Sequence, residues 1–267
     1  MKTKMMKIIA IAAAALMLVS GLAGCGKNEE EGKALIVGFD AEFPPYGYVA
    51  EDGSYDGFDL ALAEEACNRL GWEFKAVPID WNAKDNELQS GAINCIWNGF
   101  TYTGRENEYT WSTPYVDNSI VIVVKKDSGV SSLADLAGKT VMAQAASSAV
   151  DAVNDNEEFA ASIKELVELP DYNLGFIELD QGTVDAVAAD IGVAKYQVST
   201  RGDAYVILGE PISTEQYAVG FLLGNTELRD AIDEQLKAMA EDGTMIEIAK
   251  KYEDKGLVLD NLCLCND

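Results

Sequence analysis

Asp40, Arg105, Ser147, Ser148 and Asp190 are the residues of this chain best suited to hold a small charged molecule. Each follows a short apolar run that reads as a β-strand. Asp40 opens Asp40-Ala41-Glu42-Phe43-Pro44-Pro45-Tyr46, a carboxylate beside an aromatic face on a loop stiffened by two prolines. Arg105 closes Asn98-Gly99-Phe100-Thr101-Tyr102-Thr103-Gly104-Arg105, which offers free backbone groups beside Gly99, the Thr101 hydroxyl and a guanidinium. Gln144-Ala145-Ala146-Ser147-Ser148 opens a helix, and Asp190 ends the run 184–189. These groups suit an α-amino-acid zwitterion. A carboxylate fits the Arg105 fork and the helix-start N–H groups at Ser147 and Ser148. An ammonium needs a carboxylate and further oxygen acceptors, and Asp190 supplies the first. The ligand side chain would then lie against Phe43, Trp81 and Phe100, with Asp40 at its far end. Each residue also has an ordinary reading: a solvated Arg105, a capping box of Ser148 with Asp151, a helix cap at Asp190, and core positions for Phe43 and Trp81. Their placement at four successive strand ends is what favours a site, because ligands of open α/β sheets bind beyond the carboxyl ends of strands.

Composition narrows the chemistry. The 267 residues contain no histidine, which removes the commonest general base, the commonest metal ligand and any Ser–His nucleophile. A formal net charge of −25 argues against nucleic acid as a partner and against lying on anionic lipid. No cofactor is expected. Cys263 and Cys265 make a poor metal site without histidine or a second close pair. If extended, they face opposite ways and pair poorly with each other. Cys67 shares the helical spacing of Leu60, Ala63 and Leu70, and Cys95 sits in a strand run. With Cys263 and Cys265 they allow three full pairings, among which the sequence does not choose.

The elements that must position these groups alternate. Strands are expected over 34–39, 72–77, 93–97 and 119–124, and helices over 59–70, ending at Gly71, and 84–90. Such alternation predicts an α/β fold with mainly parallel sheets. A short internal repeat supports two similar lobes. Leu88-Gln89-Ser90-Gly91-Ala92-Ile93-Asn94-Cys95-Ile96 matches Leu179-Asp180-Gln181-Gly182-Thr183-Val184-Asp185-Ala186-Val187, each reading as helix end, glycine turn and buried strand.

The first residues address the chain. Lys2, Lys4 and Lys7 precede an apolar run over 8–19, too short for a comfortable bilayer span, so residues 1–24 read as a secretory signal. Leu22-Ala23-Gly24-Cys25 resembles the lipobox of bacterial lipoproteins, which implies a diacylglyceryl thioether on Cys25. The simpler alternative is an ordinary signal with an incidental cysteine. Residues 25–33 then form a lipidated tether, and the protein works outside the cytoplasm, anchored to the membrane by lipid alone.

Beyond the leader the chain resembles the family 3 solute-binding proteins of polar amino-acid ABC importers. The resemblance rests on Gly38-Phe39-Asp40, Pro45-Tyr46, Gly57-Phe58-Asp59-Leu60, Asn98-Gly99-Phe100-Thr101, Arg105, Leu133-Ala134-Asp135-Leu136-Ala137-Gly138-Lys139, Gly182-Thr183-Val184-Asp185-Ala186 and Asp242-Gly243-Thr244. It implies a two-lobed periplasmic-binding-protein-like fold (type II, a Venus flytrap) with two hinge strands. Lobe 1 would comprise 34–125 and 220–267, lobe 2 126–219, with hinges near 123–126 and 216–220. The resemblance assigns the ligand carboxylate to Arg105, Ser148 and the Thr101 backbone. It assigns the ammonium to Gly99, Thr101 and Asp190, and the side chain to Asp40 and Phe43. The chain departs from the family at Trp97, bulky for a strand end beside Asn98, in the Cys263–Cys265 tail, which has no family role, and in two loops. Only Gly104 separates Thr103 from Arg105, and Ala146 stands where glycine is usual, which predicts a restricted turn. The implied partners are a free amino acid and the permease subunits of an ABC importer, with the receptor itself a monomer. A polar or basic ligand ranks above an acidic one; glutamine, arginine, lysine, histidine, cystine and tyrosine all stay open. Two other readings are a sensing subunit of a signalling receptor and an extracytoplasmic dehydratase on the same fold, which would need Asp40 or Glu42 as its acid or base.

Overall fold

The computed structural model describes residues 33–266; Cys25 and the leader lie outside them. In chain order the strands are β1 (Ala34–Phe39), β2 (Glu42–Phe43), β3 (Gly47–Val49), β4 (Tyr55–Asp56), β5 (Glu73–Pro78), β6 (Cys95–Ile96), β7 (Thr110–Trp111), β8 (Val116–Lys125), β9 (Thr140–Gln144), β10 (Glu165–Leu169), β11 (Ala186–Asp190), β12 (Tyr205–Ile207), β13 (Ser213–Tyr217) and β14 (Gly220–Phe221). They form two main sheets, ordered β5-β1-β6-β14-β7 and β10-β9-β11-β8-β12, with β13 also paired to β8; β2, β3 and β4 make a small third sheet. In each main sheet three neighbouring strands are parallel, and β14 or β8 is added antiparallel. Parallel neighbours need helical crossovers, and helices on both faces bury the central strands. Accordingly β9 and β11 are buried along their whole length.

The expected helices form where the periodicity put them. One spans Phe58–Leu70 and ends at Gly71 in the left-handed region at φ 69°; another spans Lys84–Ser90. The internal repeat is structural as well as textual. Helices Lys84–Ser90 and Tyr172–Gln181 both end on a left-handed glycine, Gly91 at φ 78° and Gly182 at φ 75°. In each copy the residue at the Asn/Asp position ties the turn to the neighbouring strand. Asn94 Oδ1 accepts from the Ile36 amide at 2.8 Å, and Asp185 Oδ2 accepts from the Thr140 amide at 2.8 Å. This also explains why β6 is only two residues long, against the expected 93–97: Asn94 spends its side chain on β1 just before the ladder begins.

The crossings between lobes differ from expectation at one place. β8 pairs with β11, β12 and β13 over its full length, so residues 116–125 belong to the second sheet and the first crossing precedes Val116. The β-branched run 119–124 marks a strand, but which sheet it joins depends on partners 60 to 95 residues away. The return crossing lies between Tyr217 and Gly220. The two segments run side by side, with the Tyr115 amide donating to the Tyr217 carbonyl at 3.0 Å and the Ser112 amide to the Val219 carbonyl at 3.0 Å.

Near the C-terminus, Cys263–Cys265 is a 3-10 turn rather than an extended segment, and Cys67, Cys95, Cys263 and Cys265 are all free thiols. No helix among the described residues is long and apolar enough to cross a membrane. Just before this tail, Gly256 at φ 98° docks on the first turn of the helix Ile191–Arg201. A Cβ there would lie 2.6 Å from the Gly192 carbonyl oxygen and 2.8 Å from the Tyr196 nitrogen. Neither backbone atom can yield easily, so Gly256→Ala should hold the lobes apart. Small-angle scattering should show a larger radius of gyration than the wild type, with an unchanged far-UV spectrum.

Candidate functional site

The loops that follow β1, β6, β9 and β11 meet between the two sheets. Phe43, Trp81, Asn98, Gly99, Thr101, Arg105, Ser147, Ser148 and Asp190 line one narrow cleft, together with Gln144. Two expected residues stand elsewhere. Phe100 is fully buried, its ring packed against Trp81, Tyr109 and Trp111 with centroids 5.6, 5.0 and 4.9 Å away, so it supports the wall from behind. Asp40 lies behind Gln144, whose Nε2 donates to Asp40 Oδ2 at 2.5 Å across the cleft. Burial holds the Asp40 carboxyl above its ordinary range, against the hydrogen bonds from the Glu42 amide and Gln144.

On the first-sheet side, Gly99 adopts φ 54° and its amide donates to Asp59 Oδ2 at 2.5 Å. A Cβ on Gly99 would stand 2.9 Å from the Phe43 ring and 3.1 Å from Tyr217, so this close approach requires glycine. Asp59 is completely buried in the first turn of the helix Phe58–Leu70, and burial pushes its carboxyl up to about 7. Arg105 stacks its guanidinium 5.7 Å above the Phe100 ring and reaches across the cleft mouth to Asp151 Oδ2 at 2.9 Å. Asp151 is thus an ion-pair partner, and the capping box read for Ser148 and Asp151 does not form.

On the second-sheet side, Ser147 occupies the N-cap position of the helix Ser148–Asp155, but its hydroxyl donates to the Gln144 carbonyl at 2.7 Å instead of capping. Ser148, the first helical residue, donates to Glu215 Oε1 at 3.1 Å. Ala146 does take the left-handed conformation, φ 56°, which costs an L-residue about 1–2 kcal/mol. Its carbonyl accepts from Lys84 Nζ at 3.3 Å, another link between the lobes. Asp190, 2 % exposed, stands at the N-cap position of the helix Ile191–Arg201 without capping it. Its carboxylate accepts instead from Asn118 Nδ2 at 2.8 Å, from the Tyr217 hydroxyl, and from the Tyr172 hydroxyl at 3.5 Å.

Sequence reasoning missed Gln144, which lines the cleft, and Glu215 and Asn118, which stand behind Ser148 and Asp190. Glu215 is 8 % exposed and accepts from Thr101 Oγ1 at 2.9 Å and Asn118 Nδ2 at 2.8 Å, besides Ser148. Burial, and then the nearby Asp190, pushes its carboxyl up to about 7; burial raises Asp190 as well. The available signal was alternation: Glu215 and Tyr217 share the inward face of β13. Among the described residues no group of three or more cysteines or acids is placed to hold a metal ion.

The buried carboxyls set a pH dependence. A carboxyl whose proton is held more tightly in the folded state contributes fully below its unfolded pKa, and that stability is lost as pH rises through the folded value. The window runs from 3.8 to about 7 for Asp59 and from 4.5 to about 7 for Glu215. Groups with lowered values, such as Asp242 at about 2 beside Thr244 and Arg69, lose their contribution only in more acid solution. Calorimetry of the ligand-free protein should therefore give a lower Tm at pH 7.5 than at pH 5. A loss of roughly 2 kcal/mol corresponds to about 4–8 °C for a domain of this size. Asp59→Asn should reduce that difference.

Comparison with known proteins places this geometry. The family described as bacterial extracellular solute-binding proteins, family 3, matches residues 35–255. The L-cystine-binding protein TcyJ of Escherichia coli K12 is 28 % identical over 257 residues, covering 93 % of this chain and 94 % of the relative. The L-cystine-binding protein TcyA of Bacillus subtilis is 30 % identical over 271 residues, covering 92 % and 97 %. A crystal structure of an ABC uptake transporter substrate-binding protein from Streptococcus pneumoniae with bound histidine superposes with a TM-score of 0.79 at 33 % identity, over 84 % of this chain and 94 % of the other. The chain belongs to the family 3 bacterial extracellular solute-binding proteins.

Proposed function

We propose that this protein is an extracytoplasmic receptor, anchored through a lipid on Cys25, that closes around a free L-amino acid with a polar or cationic side chain and presents it to the permease of an ABC importer. The observation that carries the reading is the convergence, from two sheets joined only at a double crossing, of Arg105 and Thr101 with Ser148 and Asp190 on one cleft. The relatives named for cystine and the neighbour holding histidine support an amino acid as the ligand class.

The ligand carboxylate takes the Arg105 fork, which in the empty cleft is held by Asp151. Ser148 and the Thr101 backbone complete that subsite, and the ammonium goes to Asp190 alongside Gly99 and Thr101. Phe43 and Trp81 flank the aliphatic stem, and the Asp40–Gln144 pair meets the end of the side chain. Because ligand contacts come from both lobes, binding favours the closed state by the differential contacts it makes there. Burying both ligand charges costs desolvation, so each must be paired. A receptor needs no turnover, which agrees with a chain lacking histidine.

A thermal-shift panel of the form beginning after Cys25, against all amino acids and cystine, tests the reading. Ligand at about 100 times its Kd adds roughly 2.7 kcal/mol, a rise of several degrees. One or a few free amino acids should give it; no shift with any member of the panel defeats the proposal. Arg105→Ala should weaken the best ligand by about 2–5 kcal/mol, some thirtyfold or more. Asp40→Ala should reorder the ranking of ligands by calorimetry while leaving the binding of their shared backbone groups intact.

A further inference from the structure

Glu215 has no assigned role, yet its Oε1 is where three donors meet: Asn118 Nδ2 at 2.8 Å, Thr101 Oγ1 at 2.9 Å and Ser148 Oγ at 3.1 Å. The same Asn118 nitrogen donates at 2.8 Å to Asp190 Oδ1. Two buried carboxylates therefore flank a single amide group. The groups facing them from neighbouring elements do not neutralise them. Tyr46, Tyr172 and Tyr217 are buried phenols held well above their ordinary range, so they remain neutral. Asp40 and Asp59 are further buried acids, and Arg105 is engaged by Asp151. Among the described residues no lysine or arginine pairs with Asp190 or Glu215.

An independent feature points the same way. Asn118 is 4 % exposed, and while its nitrogen serves both carboxylates, its Oδ1 has no hydrogen-bond partner. A buried acceptor without a donor is costly, and two like charges this close cannot both stay ionised without a counter-charge. What is missing beside two carboxylates and an orphan carbonyl oxygen is a group that carries positive charge and several N–H donors and no acceptor. An ammonium is such a group.

We propose that Glu215 and Asp190, with Asn118 between them, form the seat of the ligand's α-ammonium, and that the ammonium enters by displacing a proton which the two carboxyls share in the empty protein. The proposal rests on the amino-acid receptor reading and adds a second carboxylate to the one which that reading uses. One proton leaves to solvent as one ammonium arrives, so the centre keeps a net charge of minus one and the buried charge does not grow. The exchange also selects: a hydroxy acid or an N-acylated amino acid brings no cation to replace the proton.

Calorimetric titration with L-cystine, L-arginine and L-glutamine, in phosphate and in imidazole at several pH values, counts the protons released. The wild type should release close to one proton per ligand near pH 6 and few at pH 8. Its affinity should fall by up to tenfold per unit as the pH drops below about 7. Glu215→Gln keeps the acceptor oxygen but not the charge; it should abolish most of the release and weaken binding at least tenfold at pH 7.5. Glu215→Asp should retain the release. Binding without proton release, together with wild-type affinity in Glu215→Gln, overturns the ammonium seat and leaves the receptor reading standing. Failure of every amino acid to bind overturns the receptor reading and the seat with it.

Discussion

The double crossing between the sheets is the constraint from which the cleft follows. Residues 112–116 lead from the first sheet to the second and residues 217–220 lead back, hydrogen-bonded to each other along the way. Tyr217 stands at the centre of this junction. Its backbone bridges to Thr101 and accepts from the Tyr115 amide, its ring meets Tyr46 edge-on at 5.2 Å, and its hydroxyl donates to Asp190. One residue thus ties the hinge, the loop after β6 and the end of β11 together. With the backbone passing between the lobes only there among the described residues, the easy motion is rotation about the crossing, and the groups that can respond to it are those at the facing strand ends.

Electrostatics gives that motion something to act on. The protein is strongly acidic, and most of its acid is solvated, but Asp40, Asp59, Asp190 and Glu215 are buried around the cleft. Folding alone would favour apolar residues at these positions, since a buried carboxyl without a cation is unfavourable. Retaining them makes sense where a cation arrives from outside. Arg105 spans the cleft mouth to Asp151. Polar contacts span the cleft: Gln144 on Asp40, Asn173 on Glu42, Lys84 on the Ala146 carbonyl. These contacts are of the kind a dipolar ligand can replace.

Much of this was legible in the chain itself. Helix 84–90, strand 34–39 and the glycine stops at Gly71, Gly91 and Gly182 follow from periodicity and from the left-handed backbone that glycine alone adopts cheaply. The four loops that meet at the cleft were visible because a strand end followed by polar residues is a local pattern. Phe100 was misplaced because an aromatic beside a glycine loop reads the same whether its ring faces the ligand or the core. Only the packing of Trp81, Tyr109 and Trp111 around it separates the two.

The sequence by itself determined the alternation of elements, the two-lobed plan through its internal repeat, the absence of histidine chemistry and the residue types offered at each strand end. These are local properties, set by spacing, turn residues and composition. Tertiary structure alone decided that residues 116–125 join the second sheet, that Arg105 meets Asp151, and that Glu215 stands beside Asp190 across one asparagine. Those facts depend on pairings between residues 46 to 101 positions apart, and on a burial that turns an ordinary glutamate into an acid holding its proton near neutrality. No local pattern carries that information, because the energy of a buried charge is set by what surrounds it in space.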